Sequence, residues 1–267
     1  MARRSLANCR VVITGASSGI GRELALAFAR RGSRVLLTAR RNQELAAVAA
    51  ECRQHGATAE TLAGDVTDSA FRAAFIERAV ALWEGIDVLV NNAGISAHGR
   101  FAESDEATLR KILEVNFFAA TELTRLALPL LKRSRQAAIV NIGSIIGHRG
   151  LPLNSEYAAS KFALRGWSES LRAELAADGV DVLLVSPGTT ETEFFDHLIA
   201  KRSDLPWGDS TAIPAAAVAE QTLRALERGR HEIFPNWRGR ALVAANRLFP
   251  GLVDRALAKL AAASHNR

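Results

Sequence analysis

The stretch Val11-Val12-Ile13-Thr14-Gly15-Ala16-Ser17-Ser18-Gly19-Ile20-Gly21-Arg22 joins an apolar strand pattern to the start of a helical pattern. Glycines between a strand and a helix let the backbone turn tightly and approach a pyrophosphate at the helix N-terminus. The spacing is G-x-x-x-G-x-G, not the more common G-x-G-x-x-G. The stretch predicts a dinucleotide site. The residues expected to surround the phosphates are Gly15, Ser17, Ser18, Gly19, Ile20, Gly21 and Arg22.

Apolar runs of strand length alternate with helical patterns along most of the chain. The predicted strands are residues 11–14, 34–39, 58–62, 87–91, 138–142, 180–185 and 231–234. The predicted helices are residues 19–31, 42–55, 69–84, 105–132, 155–177 and 215–228. Near-continuous apolar strands are typical of a sheet buried on both faces. The alternation therefore predicts an α/β, doubly wound, Rossmann-type parallel sheet of about seven strands with helices on both faces.

The pattern contains no linker or internal repeat, so we expect one domain over residues 1–238 with a helical extension over residues 239–267. In the extension, leucines, valines and Phe249 alternate with arginines, and Pro250-Gly251 divides it into two helices. One interpretation is packing over the substrate site or on a partner subunit. The other is weak contact with an anionic membrane surface. The modest apolar side chains and the short segment favour packing.

Composition excludes several classes of protein. The net charge is +6 and the pI about 10, but the arginines are spread along the chain without a zinc-finger, helix-turn-helix or RNP pattern, so nucleic-acid binding is not expected. No apolar run is long enough to span a membrane, and the basic N-terminus lacks the apolar stretch of a signal peptide. Cys9 and Cys52 have no metal-ligand spacing. We expect reduced thiols in a cytoplasmic protein without a bound metal.

The end of the second predicted strand indicates which dinucleotide is bound. NAD enzymes usually place an acidic residue about twenty positions after the glycine loop, where it holds the ribose 2′-hydroxyl. Here Ala39 is followed by Arg40 and Arg41, which suit a 2′-phosphate. We therefore expect NADP(H), with Arg22 adding to the same cluster of positive charge.

The glycine stretch also matches the G-x-S-x-G nucleophile elbow of serine hydrolases, as Gly15-Ala16-Ser17-Ser18-Gly19. An elbow normally follows a strand well inside the sheet, and its Asp and His partners come later. Here the match follows the first strand, and none of the six histidines has flanking residues that mark a base. A hydrolase is therefore the less favoured alternative.

Tyr157 is the only tyrosine of the chain and lies four residues before Lys161 and thirteen after Ser144. Four residues on a helix bring two side chains to the same face, about one turn apart. An ammonium beside a phenol lowers the tyrosine pKa from its usual value of about 10. The pair predicts a tyrosine that can exchange protons near neutral pH.

With these motifs in order, residues 9–235 resemble the short-chain dehydrogenase/reductase family. The matching positions are residues 14–21, Asp65-Val66, Asn91-Asn92-Ala93-Gly94, Asn116, Ser144, Tyr157, Lys161, Pro187-Gly188, Thr189 and Thr192. The resemblance implies that Asn116, Ser144, Tyr157 and Lys161 form the catalytic group. It also implies that Asp65 and Val66 contact adenine, that the Asn92-Ala93-Gly94 segment, Tyr157 and Lys161 border the cofactor, and that the segment from Pro187 to Thr192 embraces the nicotinamide.

The resemblance further implies hydride transfer between NADP(H) and a carbonyl or an alcohol. In this scheme Tyr157 exchanges the proton, Lys161 favours its ionised form, and Asn116 holds a water that links Lys161 to solvent. The helices at residues 105–132 and 155–177 are expected to form a homodimer or homotetramer. Epimerases and nucleotide-sensing regulators without turnover share the fold, and they remain alternatives.

The substrate loop implied by the resemblance spans residues 189–213. Its apolar residues are Phe194, Phe195, Leu198, Ile199, Leu205, Pro206 and Trp207, and those flanking the catalytic segment are Ile145, Ile146, Leu151 and Leu153. Such a lining suits a small apolar ketone, aldehyde or alcohol, unless half of it packs on its own scaffold. His98 and His148 are within reach of a substrate, although loop histidines are usually solvated.

Overall fold

The computed structural model describes residues 4–203 and 212–263. In these residues the strands are β1 (Arg10–Thr14), β2 (Arg34–Thr38), β3 (Ala59–Thr61), β4 (Val88–Asn91), β5 (Ala97–His98), β6 (Ala138–Ile142), β7 (Asp181–Val185), β8 (Thr190–Glu191), β9 (Ala200–Lys201), β10 (Ile213–Pro214) and β11 (Glu232–Ile233). Within the described chain, seven of them form a parallel sheet in the order β11-β7-β6-β4-β1-β2-β3. The predicted doubly wound sheet is confirmed.

Helices cover both faces of this sheet. They are α1 (Gly19–Arg30), α2 (Asn42–Gln54), α3 (Ser69–Trp83), α4 (Glu106–Leu113), α5 (Ala119–Leu131), α6 (Ser155–Glu174), α7 (Ala215–Glu227), α8 (Trp237–Leu248) and α9 (Pro250–Ala263). Val11 and Ile13 pack with α1, α2 and α7, whereas Val12 packs with α3, α5 and α6. Successive strand residues point to opposite faces, so an unbroken apolar strand supplies two separate cores.

The structure corrects the prediction of one helix over residues 105–132. A π-helical turn, Glu114–Phe118, separates α4 from α5, and Asn116 lies at its centre. A π turn contains one more residue than an α turn and is often found at functional sites. Four two-residue strands outside the central sheet were also not predicted: β5 pairs with β9, and β8 pairs with β10.

α8 begins at Trp237, two residues before the predicted extension, and packs against the segment that follows β6. A Cβ on Gly239 would lie 2.5 Å from Cγ2 of Ile145, so only glycine permits the helix to approach this closely. Arg149 binds the Asn246 side chain of α8 at 3.1 Å and also bonds Asp254 of α9. None of the helices in residues 4–203 and 212–263 has both the length and the hydropathy to span a membrane.

Candidate active site

A cleft of about 940 Å³ follows the carboxyl ends of the central strands. It lies where β1 and β4 are neighbours and the strand order reverses. In open α/β sheets, ligands bind at this switch point, because the loops leaving the two strands diverge there. The volume and position suit a dinucleotide together with a small substrate.

The glycine loop forms the floor of this cleft and presents bare backbone to it. Gly15 has φ +64°, and a Cβ there would lie 2.8 Å from Cα of Ala93. A Cβ on Gly21 would lie 2.2 Å from the carbonyl oxygen of Gly15, so α1 cannot begin this close to the loop with a larger residue. The Asn92 amide donates to the carbonyl oxygens of Thr14 and Gly15, both at 3.0 Å. The loop is therefore held in shape by the segment after β4.

Most of the predicted cofactor residues border the cleft. They are Gly15, Ser17, Ser18, Gly19, Ile20, Arg40, Arg41, Asp65, Val66, Asn92, Ala93, Gly94, Tyr157, Lys161, Pro187, Gly188, Thr189 and Thr192. Gly21 does not border it, since its role is the close approach to the loop. The prediction that Arg22 joins the positive charge of Arg40 and Arg41 is wrong. Its guanidinium hydrogen-bonds Glu23 and, at 2.6 Å, Glu51 instead. Those two carboxylates hold it away from the proposed phosphate site.

Arg41 is the cation that reaches the glycine loop. One terminal nitrogen donates to Ser18 Oγ at 2.7 Å and to Ser17 Oγ at 3.3 Å. The other donates to Glu193 in the substrate loop at 3.1 Å, and this contact lowers the pKa of Glu193. Sequence patterns did not indicate Glu193, since it comes from a distant loop. Arg40 is exposed at the rim.

These contacts also bear on the hydrolase alternative. Ser17 and Ser18 accept hydrogen bonds from a guanidinium, which stays protonated and cannot act as their general base. Ser186 does meet a histidine, with Nε2 of His148 at 3.0 Å, but both side chains are buried and neither borders the cleft. A nucleophilic serine is not supported by either arrangement.

Three of the four predicted catalytic residues meet on the wall of the cleft. Ser144 follows β6, and Tyr157 and Lys161 lie one turn apart on α6. The Lys161 Nζ lies 5.6 Å from the centroid of the Tyr157 ring and donates to the carbonyl oxygen of Ile142 at 2.8 Å. All three side chains border the cleft, so a substrate oxygen can reach the serine and tyrosine hydroxyls together.

The pKa of Tyr157 is raised, not lowered by Lys161 as the sequence predicts. Burial raises this pKa to about 12, and hydrogen bonding with Ser144 opposes the rise only in part. Burial also lowers the pKa of Lys161 to about 8. Burial favours the uncharged form of each group, and Nζ donates its hydrogen bond to the Ile142 carbonyl oxygen. Tyr157 in this state is a proton donor.

Asn116 lies behind this group and not on the cleft wall. Its Oδ1 accepts from the Ile95 amide at 2.8 Å, and its Nδ2 donates to the Ile95 carbonyl at 2.9 Å and to Ser160 Oγ at 2.9 Å. Ser160 in turn donates to the Tyr157 carbonyl at 2.8 Å. The side chain thus ties the π turn, the loop after β4 and α6 together. The predicted water at Asn116 stays a prediction.

The substrate end of the cleft is largely apolar. Phe194, Phe195, Leu198, Ile145, Ile146 and Leu151 border it. The Phe194 ring centroid is 5.8 Å from that of Tyr157. Ile199 packs instead beside Ile95, and Leu153 does not border the cleft. Leu205, Pro206 and Trp207 lie outside the described residues.

Neither predicted loop histidine is solvated. His98 is 3% exposed, borders the cleft and lies 5.7 Å from Phe195 between ring centroids. His148 is buried behind the catalytic segment, next to Ser186 and Glu232. Asn154, also buried at the cleft wall and accepting from Ser96 Oγ at 3.3 Å, was not indicated by any motif.

Known proteins are similar to this chain in sequence and in fold. A family model for short chain dehydrogenases matches residues 10–203. The uncharacterized oxidoreductase YxnA of Bacillus subtilis (strain 168) is 33% identical over 254 residues, or 94% of this chain and 71% of the relative.

Two solved structures extend the comparison to nucleotide complexes. A short-chain dehydrogenase/reductase from Burkholderia phymatum in complex with NAD is 26% identical, with a TM-score of 0.86 over 93% of this chain and 96% of that one. An alcohol dehydrogenase from Thermococcus sibiricus complexed with 5-hydroxy-NADP is 25% identical, with a TM-score of 0.75 over 84% of this chain and 94% of that one. The chain therefore belongs to the short-chain dehydrogenase family of oxidoreductases.

Proposed function

We propose that the protein is an NADP(H)-dependent oxidoreductase that interconverts an apolar carbonyl compound and its alcohol. The observation that carries this proposal is the convergence of Ser144, Tyr157 and Lys161 on the wall of a dinucleotide-sized cleft. A regulator that only binds nucleotide has no need for a buried ammonium beside a phenol. Such a pair is unfavourable for folding and is of use for proton transfer.

The residues present fit a nicotinamide dinucleotide. Only glycine is tolerated at Gly15 and Gly21, which keeps the floor open to a pyrophosphate. When bound, the cofactor supplies or accepts the hydride. Structural relatives hold either NAD or an NADP derivative, so the choice depends on this chain's own residues. Arg41 over Ser17 and Ser18 supports NADP(H), because a guanidinium pairs well with a phosphate and no acidic residue takes the place of Ala39.

The protein side chains manage the proton and the charge on oxygen. The Ser144 hydroxyl donates a hydrogen bond to the carbonyl oxygen and holds it beside Tyr157. Tyr157 donates its proton to that oxygen as negative charge develops there, and it takes the proton back in the direction of oxidation. Lys161 stabilises the phenolate that results, since an ammonium favours the charged form of a neighbouring phenol.

The apolar residues of the substrate loop support an apolar substrate. Phe194 and Phe195 stack edge to face with ring centroids 5.7 Å apart, which gives this end of the cleft a large apolar wall. His98 supplies a polar group at the same wall. A ketone or aldehyde with a bulky apolar body fits this distribution.

The protein is further proposed to form homo-oligomers through α5 and α6. Phe118, Leu126 and Phe162 are 48%, 40% and 43% exposed on or beside these two helices. Large apolar side chains at this exposure favour contact with a second surface. Light scattering of the wild type and of Phe162→Arg tests this, and an unchanged monomeric mass in both would contradict it.

The reaction is tested by following NADPH oxidation with a panel of apolar aldehydes and ketones. Wild type, Tyr157→Phe and Ser155→Ala are compared, since Ser155 carries an exposed hydroxyl on the same helix. We expect Tyr157→Phe to bind NADPH and to lose at least about a hundredfold in turnover, while Ser155→Ala stays at wild-type rate. Unchanged turnover in Tyr157→Phe would refute the mechanism. Tight NADPH binding without turnover on any carbonyl, even in wild type, would favour the regulator.

A further inference from the structure

The C-terminal helices α8 and α9 present an apolar stripe to solvent. Trp237, Leu248, Phe249 and Leu252 are 73%, 71%, 57% and 60% exposed. On α8, residues 237, 241, 244 and 248 follow one another at helical spacing and share one face, and Ala241 and Ala244 are exposed as well. Exposed aromatic and leucine side chains grouped in this way mark a surface that contacts something apolar.

The opposite face of the two helices packs against the rest of the protein. Gly239, Val243 and Leu257 are buried, and Gly239 packs directly on Ile145. Arg149 joins α8 and α9 to the active-site segment. One face of the two helices therefore packs on the segment after β6. The predicted packing over the substrate site stays a prediction, since no described residue of α8 or α9 borders the cleft. The exposed stripe, residues 237, 241, 244, 248, 249 and 252, lies on the other face, where the Arg238 guanidinium lies 5.6 Å from the centroid of the Trp237 ring.

Positive charge flanks the exposed stripe. The exposed cations on the two helices are Arg238, Arg240, Arg247, Arg255 and Lys259. In residues 4–203 and 212–263 none of them forms an ion pair. The one acidic side chain of these helices, Asp254, is neutralised by Arg149. The surface thus combines large apolar side chains with uncompensated positive charge.

We propose that this surface docks on an anionic lipid bilayer, with the helices lying in the plane of the interface. Aromatic and leucine side chains on one face with arginine and lysine beside them are the composition of interfacial helices. Basic side chains gain further from the negative surface potential of anionic lipids. A second copy of the chain is a poorer partner, because a two-fold contact would bring the five cations of each copy against those of the other.

Docking in this way would place the catalytic cleft at the membrane surface. Ile145, against which α8 packs, borders the cleft one residue after Ser144. The apolar substrate would then enter from the lipid, which makes a lipid-like carbonyl or alcohol the expected class. This last step rests on the proposed function, whereas the docking itself does not.

The docking is tested by sedimentation with phosphatidylcholine vesicles that contain or lack phosphatidylserine, without cofactor or substrate. The stripe variant is Leu248→Glu with Leu252→Glu, and the control is Val80→Glu, which adds charge at an exposed valine on α3. We expect wild type and control to bind only the phosphatidylserine vesicles and to be released by salt. The stripe variant should bind at least about tenfold more weakly. Trp237 emission should shift to the blue on these vesicles, and Trp237→Phe should lose that shift.

Several outcomes would overturn the docking. Equal vesicle binding by wild type and stripe variant, or no binding by either, would contradict it. So would an increase in the molecular mass of wild type without lipid that the stripe variant loses, because it would identify a second copy as the partner. NADPH binding by the stripe variant shows that it is folded. Vesicle binding is measured without turnover, so a failed carbonyl assay leaves this result unaffected.

Discussion

Replacing Lys161 by methionine is expected to abolish turnover and also to stabilise the folded protein. Lys161 is 4% exposed, and among the described residues Nζ makes one hydrogen bond, to the carbonyl oxygen of Ile142. Burial alone lowers its pKa from 10.5 to about 8. Because a tenfold change in proton affinity corresponds to about 1.4 kcal/mol, the charged form is roughly 3 kcal/mol less stable here than in water. Losing the bond to Ile142 offsets about 1 kcal/mol.

The variant should therefore gain about 2 kcal/mol in the free energy of unfolding at pH 7, or roughly 4–8 °C in Tm. Since the folded-state pKa is below the unfolded value, the unfolded chain binds more protons between pH 8 and 10.5. The penalty in wild type is complete below pH 8 and disappears as the pH rises through this window, so the difference between wild type and variant should shrink there.

Urea unfolding of the cofactor-free protein at both ends of this window measures the difference. Lys111→Met is the matched control, because Lys111 is exposed on α4, and it should change stability by less than about 0.5 kcal/mol. A Lys161→Met protein that is less stable than wild type at pH 7, or a gain that does not change with pH, would refute the reasoning.

Four further substitutions test the choice of cofactor and the acid dependence of folding. Arg41→Ala should reduce the preference for NADPH over NADH at least about tenfold in titrations, and Arg40→Ala should reduce it much less. Glu193→Gln removes the nearer of the two carboxylates that pair with Arg41, at 3.1 Å against 3.8 Å for Glu44. It should therefore tighten NADPH binding and leave NADH binding unchanged. The opposite ranking of the two arginines would show that Arg40 binds the phosphate. Burial acts to raise the pKa of Asp87, but bonds from Arg10 and a serine outweigh it, and the pKa is lowered. The stability from Asp87 is present above the unfolded pKa near 3.8 and is lost as the pH falls through the folded value. Asp87→Asn should therefore lose about 2 kcal/mol in the free energy of unfolding at pH 7, the size of a hydrogen bond to a charged group, and show a shallower acid transition. An unchanged transition in urea titrations at pH 3 to 7 would contradict this.

The sheet could be predicted from the sequence because its central strands are largely apolar and alternate with segments that carry apolar residues at helical spacing. The glycine loop could be located for a similar reason, since Gly15 and Gly21 are required by contacts within one strand-turn-helix unit. Such local constraints leave a pattern in consecutive residues. The position of the cleft then follows from the strand order.

The remaining features depend on contacts between distant segments. Arg22 matched a charge cluster in sequence, yet Glu51 from α2 holds it elsewhere. Glu193 reaches Arg41 from 152 residues away, and the pKa of Tyr157 follows from burial, which spacing on a helix does not report. The π turn at Asn116 has no residue pattern that distinguishes it from an α-helix. The surroundings of Arg22, Glu193 and Tyr157 depend on burial and on pairing between distant segments, which the sequence pattern does not contain.

Because Tyr157 is the only tyrosine of the chain, its ionisation can be followed by absorbance without a label. Every change in phenolate absorbance on alkaline titration belongs to Tyr157. An ionisation that begins at lower pH when nucleotide is added would measure directly how far an occupied cleft moves the phenol from its pKa of about 12.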